Sequence, residues 1–179
     1  RYDSDLADGI RHDYRHWGEG FISAYPPDQF IMLEHGAAYG DGNDEVWAPY
    51  YTLHKILAGL LDCWEAGAGE KALAVAEGMA TWVYRRLKAV PPATRRAMWD
   101  TYIAGEYGGM NDVMARLHAI TGAEKYRACA QLFDNTAVFF GTAECAHGLA
   151  NNVDTIRGRH ANQHIPQIIG ALATYEATG

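Results

Sequence analysis

The segment YYTLHKILAGLLDCWEAG, residues 50–67, carries apolar side chains at helical spacing and closes on a glycine. Glycine tolerates the left-handed conformation found just past a helix C-terminus, so the segment is typical of a helix together with its stop. The same stop returns twice, because Gly122 lies 55 residues after Gly67 and Gly179 lies 57 residues after Gly122. A new helical pattern begins after each of the first two stops, which predicts a repeating unit of two helices and a loop.

The predicted helices alternate in pairs along the chain. The runs that end at the stops are 50–65, 109–120 and 166–177, and the runs that follow the first two stops are 70–87 and 124–140. Sustained alternation of apolar and polar residues, the mark of a half-buried strand, is nearly absent. We therefore expect an all-α fold of about three helix pairs, which could stack into an open superhelix or close into a toroid.

Composition excludes several classes of function. The 179 residues include 15 Lys and Arg against 22 Asp and Glu, a net charge of −7 that repels nucleic-acid phosphates and anionic lipid. No stretch of apolar residues is long enough to span a membrane. The aromatic content of 12% favours pockets for uncharged ligands such as sugars. Because the chain opens on Arg1 without an apolar signal segment, we expect an excised or processed piece.

The cysteines carry little functional information. Cys63, Cys129 and Cys145 are widely spaced, odd in number and without a Cys-x-x-Cys pair. This pattern predicts neither a disulfide framework nor a zinc ribbon. We expect each of them to be a small buried apolar residue.

Three long connections, 36–49, 91–109 and 141–165, precede the helices that end at the stops. Long structureless connections in a compact domain tend to be functional. Since all three lie at the same end of their repeats, we expect them to converge on one face.

The first connection leads into a histidine beside aromatic rings. If a helix starts near Pro49, His54 lies on the face shared with Tyr50 and Tyr51. An imidazole beside aromatic rings suits a sugar, whose C–H face packs on a ring while its hydroxyls are hydrogen-bonded. The spacing alone favours the other interpretation, a core histidine satisfied by a backbone carbonyl.

The second connection ends with Glu106 just before the glycine pair Gly108-Gly109. The glycines allow a sharp turn or a close approach to a ligand, and the helix dipole stabilises a carboxylate at this position. Glu106 could bind substrate hydroxyls or cap the helix, and the pattern by itself favours capping.

The third connection holds two histidines four residues apart, the spacing of a zinc-binding helix. Pro166 argues against that helix, because a proline favours an extended residue before it and predicts a helix start at Pro166 itself. We expect instead a polar cluster at the mouth of a helical barrel, made of His160, Asn162, Gln163 and His164.

Four ordered segments carry a family resemblance: SAYP at 23–26, WAPYYTLHKI at 47–56, EYGGMN at 106–111 and HANQHIP at 160–166. They resemble successive motifs of the β-L-arabinofuranosidases of glycoside hydrolase families GH127 and GH146. The resemblance runs from about Gly20 to Gly179. It implies an (α/α)6 toroid and a retaining exo-glycosidase that removes terminal β-linked L-arabinofuranose.

The resemblance also implies an unusual mechanism. In these families a cysteine thiolate held on zinc by other cysteines and a glutamate is the nucleophile, and a second glutamate is the general acid/base. Those groups follow the HANQHIP segment, and this sequence ends first. We therefore expect residues 1–179 to be the N-terminal half of the catalytic domain, inactive alone. None of its three cysteines takes the nucleophile's role, and the zinc is expected in the full-length parent rather than in this chain.

What the resemblance transfers to this chain is the substrate side of the pocket. It implies His54 and His160 as donors to sugar hydroxyls, and as further lining Glu106, Asn162, His164, Trp47 and Tyr107. Two alternatives stay open: a sugar-binding or scaffold module without catalysis, and another enzyme on an (α/α) toroid with a histidine as base. Half a ring would expose apolar helix faces, so we also expect self-association.

Overall fold

A computed structural model describes residues 18–40, 42, 45–141, 148, 150 and 154–179. These residues contain helices and no strand, which confirms the all-α prediction for this part of the chain. The helices are α1 (Asp28–Glu34), α2 (Pro49–Glu65), α3 (Glu70–Ala89), α4 (Pro92–Asp100), α5 (Met110–Thr121), α6 (Glu124–Gln131), α7 (Thr136–Phe140) and α8 (Ala161–Thr178).

The longer helices form two layers. In one layer α2 packs against α5, and α5 packs against α8; in the other layer α3 packs against α6. Contacts of α2 with α3 and of α5 with α6 join the layers. The helices of the first layer, α2, α5 and α8, are the three that end at the recurring glycine stop. The sequence period therefore corresponds to a repeated pair of one helix from each layer.

An aromatic cluster fills the space between the layers. Trp99 stacks on Phe133 at 5.1 Å and meets Tyr50 edge-on at 5.4 Å, and all three rings are almost fully buried. The Trp99 indole N–H donates to the Leu132 carbonyl at 3.0 Å, so its polar edge is satisfied inside the core. Each buried ring stabilises the fold by about 1.5–3 kcal/mol. Tyr50 therefore belongs to the core, although its sequence position placed it beside His54.

The start of α8 differs from the sequence prediction. The helix begins at Ala161, so Pro166 lies inside it and leaves the Asn162 carbonyl without its usual partner. The first turn is anchored from outside, because the Gln163 side-chain amide donates to the Trp99 and Thr101 carbonyls at 3.1 and 3.0 Å. These buried contacts offset part of the cost of a proline inside a helix, which is about 3 kcal/mol.

Two further boundaries differ from prediction. The run 124–140 is broken between α6 and α7, where Asn111 donates to the Asp134 carboxylate at 3.0 Å and Asn135 donates to Asp100 at 3.2 Å. The expected loop 91–109 contains α4. At the break, side-chain hydrogen bonds to distant parts of the chain replace the local hydrogen bonds of a helix. The spacing of apolar residues along the sequence does not predict such long-range contacts.

The cysteine predictions are confirmed at one position and wrong at another. Cys129 is buried and Cys63 is exposed. Cys63 lies on the outer side of α2 close to its C-terminus, where the helix face turns away from the core. Cys145 lies outside the described residues. No helix in the described ranges is both long and apolar enough to cross a membrane.

The outer side of α8 is apolar and exposed. Its large side chains are each between 43% and 66% exposed. They follow helical spacing along one face, and we call them the α8 stripe: Ile165, Ile168, Ile169, Leu172 and Tyr175.

Candidate functional site

The N-terminal ends of α2, α5 and α8 meet at one face of the molecule. His54, in the second turn of α2, lies flat against the two glycines that precede α5. A Cβ atom at Gly108 would stand 2.6 Å from His54 Nδ1, and one at Gly109 would stand 2.9 Å from His54 Nε2. Real side chains do not approach so closely, so glycine is required at both positions. The glycine pair was predicted to allow a sharp turn or a close approach to a ligand. In the structure the group that approaches Gly108 and Gly109 closely is the His54 imidazole.

His54 is a buried, neutral imidazole. The residue is 8% exposed, and its Nδ1 has no hydrogen-bond partner among the described residues. The pKa of His54 is lowered to about 4, mainly by burial and in smaller part by the positive charges of Lys55 and Arg116. In the part of the chain that the structure describes, no backbone carbonyl bonds to Nδ1, unlike in the interpretation of His54 as a core histidine satisfied by a carbonyl. A buried ring nitrogen without a partner is a place where a ligand or water can bond.

Glu106 and His160 form a direct pair across 54 residues of sequence. Glu106 Oε1 lies 2.5 Å from His160 Nδ1, and the carboxylate side chain is 5% exposed against 40% for the imidazole. A carboxylate only accepts, so His160 Nδ1 carries the donated hydrogen. His160 Nε2 has no protein partner in the described part of the chain and remains available. The capping role predicted for Glu106 is wrong, because Gly109 is the N-cap of α5 and no side chain caps it.

Burial and the histidine act on Glu106 in opposite directions. Burial raises the pKa of Glu106, and the charge of His160 together with their hydrogen bond lowers it in part. The net effect is a raised pKa, because burial outweighs the attraction of the histidine.

The loop that carries Glu106 is tightly held. Ile103 has φ 57°, in the left-handed region that branched residues avoid, at a cost of about 1–3 kcal/mol. The Gly105 N–H donates to the Thr101 carbonyl at 2.9 Å, and the Glu106 N–H donates to the Ile103 carbonyl at 3.0 Å. This strained turn directs Glu106 inward toward His160.

His164 is separated from His160 by its surroundings. It is 3% exposed, and its Nε2 lies 3.1 Å from the Thr155 hydroxyl, while its Nδ1 has no partner within the described ranges. Burial lowers the pKa of His164, and the charge of Arg159 adds to this. The two histidines thus bond to different partners instead of facing one metal.

The other residues predicted to line the sugar pocket differ in how far they are exposed to solvent. Trp47 is 50% exposed and meets Tyr39 edge-on at 5.0 Å, and its backbone N–H donates to the Gln29 side chain at 2.8 Å. Asn162 is exposed in the first turn of α8. Tyr107 is 1% exposed and packs on Trp99, so it supports the site from the core and does not reach its surface.

The described residues do not fit a zinc centre. No group of three His, Cys, Asp or Glu side chains among them is arranged to hold a metal ion. The two described thiols lie on different helices, and only Cys63 is exposed. Burial raises the pKa of the Cys129 thiol, which keeps it protonated and unsuited to metal binding or nucleophilic attack.

Two residues of this face were missed by sequence reasoning. Tyr102 is 55% exposed and meets His160 edge-on at 6.4 Å, and Thr155 contacts His164. No sequence pattern around Tyr102 predicts its position, because that position depends on the strained turn at Ile103, which the whole fold imposes. Thr155 lies in the third long connection, where no sequence pattern distinguishes a functional polar residue from the other polar residues.

The loop before α5 links two kinds of polar group: the neutral imidazole of His54 lies against Gly108 and Gly109, and Glu106 of the same loop orients the His160 imidazole, which also contacts the Tyr102 ring. Such a set can donate to and accept from hydroxyl groups while rings cover C–H faces.

Comparison with known proteins adds one finding. The family model described as "Beta-L-arabinofuranosidase, GH127 catalytic domain" matches residues 12–179. No curated protein matches the chain.

Proposed function

The chain belongs to the GH127 family of β-L-arabinofuranosidase catalytic domains, and from this premise we propose that its three meeting helix ends bind a terminal L-arabinofuranose. The family is one of glycoside hydrolases, so the substrate class is carbohydrate. The proposal concerns what His54, Glu106 and His160 do for such a substrate.

The Glu106–His160 pair is the observation that carries the proposal. Their 2.5 Å contact fixes the imidazole orientation and leaves Nε2 for a ligand. Positioning a histidine through a hydrogen bond to its other nitrogen is a common way to present it to a substrate. Nε2 would bond a sugar hydroxyl, as acceptor when the ring is neutral and as donor when it is charged.

His54 would complete the binding of the same sugar. As a neutral imidazole it has one nitrogen that donates and one that accepts. Since His54 Nδ1 is buried beside Gly108, we place the sugar contact of His54 on the other ring nitrogen, Nε2. Such a contact is made in a dry site, where hydrogen bonds are strong and a substrate lacking the hydroxyl is rejected.

We place the reacting groups outside the described residues. Neither described cysteine has the environment of a nucleophile, and the described acids do not form a metal-binding group. The chain would then supply the substrate side of the pocket in a larger (α/α)6 domain that hydrolyses terminal β-L-arabinofuranosides with retention. Assaying release of L-arabinose by this chain, with and without added zinc, tests its proposed inertness; clear turnover would contradict it.

Sugar binding is tested by titrating methyl β-L-arabinofuranoside while following tryptophan fluorescence. The wild type should bind, and His160→Ala should weaken binding about two- to tenfold, because one hydrogen bond contributes about 0.5–1.5 kcal/mol. The matched control is His35→Ala, since His35 is exposed at the end of α1, away from α5 and α8. No response in any of the three proteins would favour a scaffold module.

A further inference from the structure

Tyr102 is the exposed residue in an otherwise covered segment. Residues 104–110 are all buried, and the flanking Thr101 and Ile103 are partly buried. The Tyr102 side chain is 55% exposed. More than half of the surface of this large aromatic residue therefore stays in solvent, within a segment that is otherwise covered.

The loop holds Tyr102 in one place. The Thr101 carbonyl accepts from the Gly105 N–H at 2.9 Å and from the Gln163 side chain at 3.0 Å, and the Tyr102 carbonyl accepts from the Ala104 N–H at 2.6 Å. The left-handed Ile103 follows directly. Because the backbone on both sides is bonded, binding at Tyr102 does not have to order the loop, and only the side-chain torsions of the tyrosine lose freedom.

Tyr102 lies next to the sugar-binding pair and farther out. Its ring meets the His160 imidazole edge-on, with 6.4 Å between centroids and an interplanar angle of 85°. Exposure rises in order along the three side chains, from Glu106 through His160 to Tyr102. A ligand whose terminal unit bonds the inner pair would extend its next unit past the Tyr102 ring.

We propose that Tyr102 is a specificity-determining residue that stacks against the group attached to the terminal arabinofuranose. The inference rests on the proposed function, because that function places the terminal sugar at Glu106 and His160. The group it fits is a neutral ring, either a second sugar or an aryl aglycone, whose flat face can cover the tyrosine. The phenol hydroxyl is not needed for this contact.

The test compares two probes on the same protein, with affinities from nuclear magnetic resonance titration. Methyl β-L-arabinofuranoside has no ring beyond the terminal sugar, and p-nitrophenyl β-L-arabinofuranoside has one. The wild type should bind the aryl probe about three- to tenfold more tightly, the factor expected for one aromatic contact. Tyr102→Ala should remove that preference by lowering the affinity for the aryl probe more than that for the methyl probe, whereas Tyr102→Phe should keep the preference.

Tyr175→Ala is the matched control, because Tyr175 is an exposed tyrosine of the α8 stripe, and it should behave as the wild type. Circular dichroism of each variant checks that the helices are retained. Equal affinity of the wild type for the two probes, or an unchanged preference in Tyr102→Ala, would overturn the inference while leaving the proposed function standing. Binding of neither probe by the wild type would overturn both.

Discussion

Burial determines the protonation of His54 more strongly than its neighbouring charges do. The ring lies against backbone at Gly108 and Gly109, so water cannot surround the charged form. Glu106 is also buried, and burial raises its pKa. The neighbouring His160 lowers the pKa of Glu106 and so cancels part of this rise. The two groups therefore remain capable of bonding uncharged hydroxyls near neutral pH.

The low pKa of His54 predicts a specific loss of stability in mild acid. In the unfolded chain the imidazole takes up a proton below its ordinary value of 6.5, whereas in the fold it does so only near 4. The unfolded state binds more protons between those values, so the free energy of unfolding falls as pH drops from 6.5 to 4, by up to about 3 kcal/mol in total. Urea unfolding at steps of pH measures it.

His54→Gln provides the comparison for that experiment. Glutamine keeps polar atoms but does not titrate, so the fall in stability between pH 6.5 and 4 should be smaller by the His54 contribution. The same pH dependence in both proteins would show that His54 is not the group responsible.

Glu106→Gln should separate binding from stability. Burial raises the pKa of Glu106, which means that the fold favours the neutral carboxyl group over the charged one. The contribution of Glu106 to the free energy of unfolding therefore declines as the pH rises above 4.5, the ordinary pKa of the group. With the neutral amide, the free energy of unfolding in urea at pH 7 should be unchanged or slightly higher. Sugar binding should weaken about tenfold, because the amide orients His160 less strongly. Marked destabilisation with intact binding would contradict this account.

At the scale of helices, sequence reasoning succeeded where the signal is local. The glycine stops and Pro49 located α2, α3 and α5 within a residue or two, since capping and helical spacing depend on neighbours in sequence. It failed at the start of α8, because Gln163 anchors that turn to carbonyls more than sixty residues away. The Glu106–His160 pair could not be predicted as a contact for the same reason.

The approach of α2 to the loop before α5 predicts a large effect from one methyl group. Gly109→Ala would place a Cβ atom 2.9 Å from His54 Nε2. The histidine must move, so we expect a loss of about 1–3 kcal/mol in stability and a loss of sugar binding. Gly59→Ala is the matched control, because Gly59 lies in α2 with nothing within 4 Å of its Cβ position. That change should stabilise α2 by up to about 1 kcal/mol. Similar effects of the two substitutions would contradict the close packing of His54.

At the scale of the whole molecule, the two layers explain why the predicted loops meet. Three equivalent helices, α2, α5 and α8, stand side by side, and their N-terminal ends bring together connections that are far apart in sequence. The repeat therefore predicted that these ends share one face. It did not predict which side chains point inward, since that depends on the turn at Ile103 and on the burial of Tyr50 and Tyr107.

The exposed α8 stripe predicts self-association. Five large apolar side chains on one helix face exceed what isolated surface residues need. Size-exclusion chromatography at two protein concentrations should show a larger species at the higher one, and Leu172→Glu should shift the chain toward monomer. Ile22→Glu, which changes an exposed isoleucine outside α8, should have no such effect. A compact monomer at both concentrations for the wild type would refute the prediction.

The central claim is that His54 and His160 face one sugar. Histidine-labelled protein, with signals assigned by single substitutions, can be titrated with methyl β-L-arabinofuranoside and followed by nuclear magnetic resonance. We predict that the ring signals of His54 and His160 shift together with one dissociation constant, while those of His35 and His118 stay in place. Shifts confined to His35 or His118, or no shift at any of the four rings, would contradict the account.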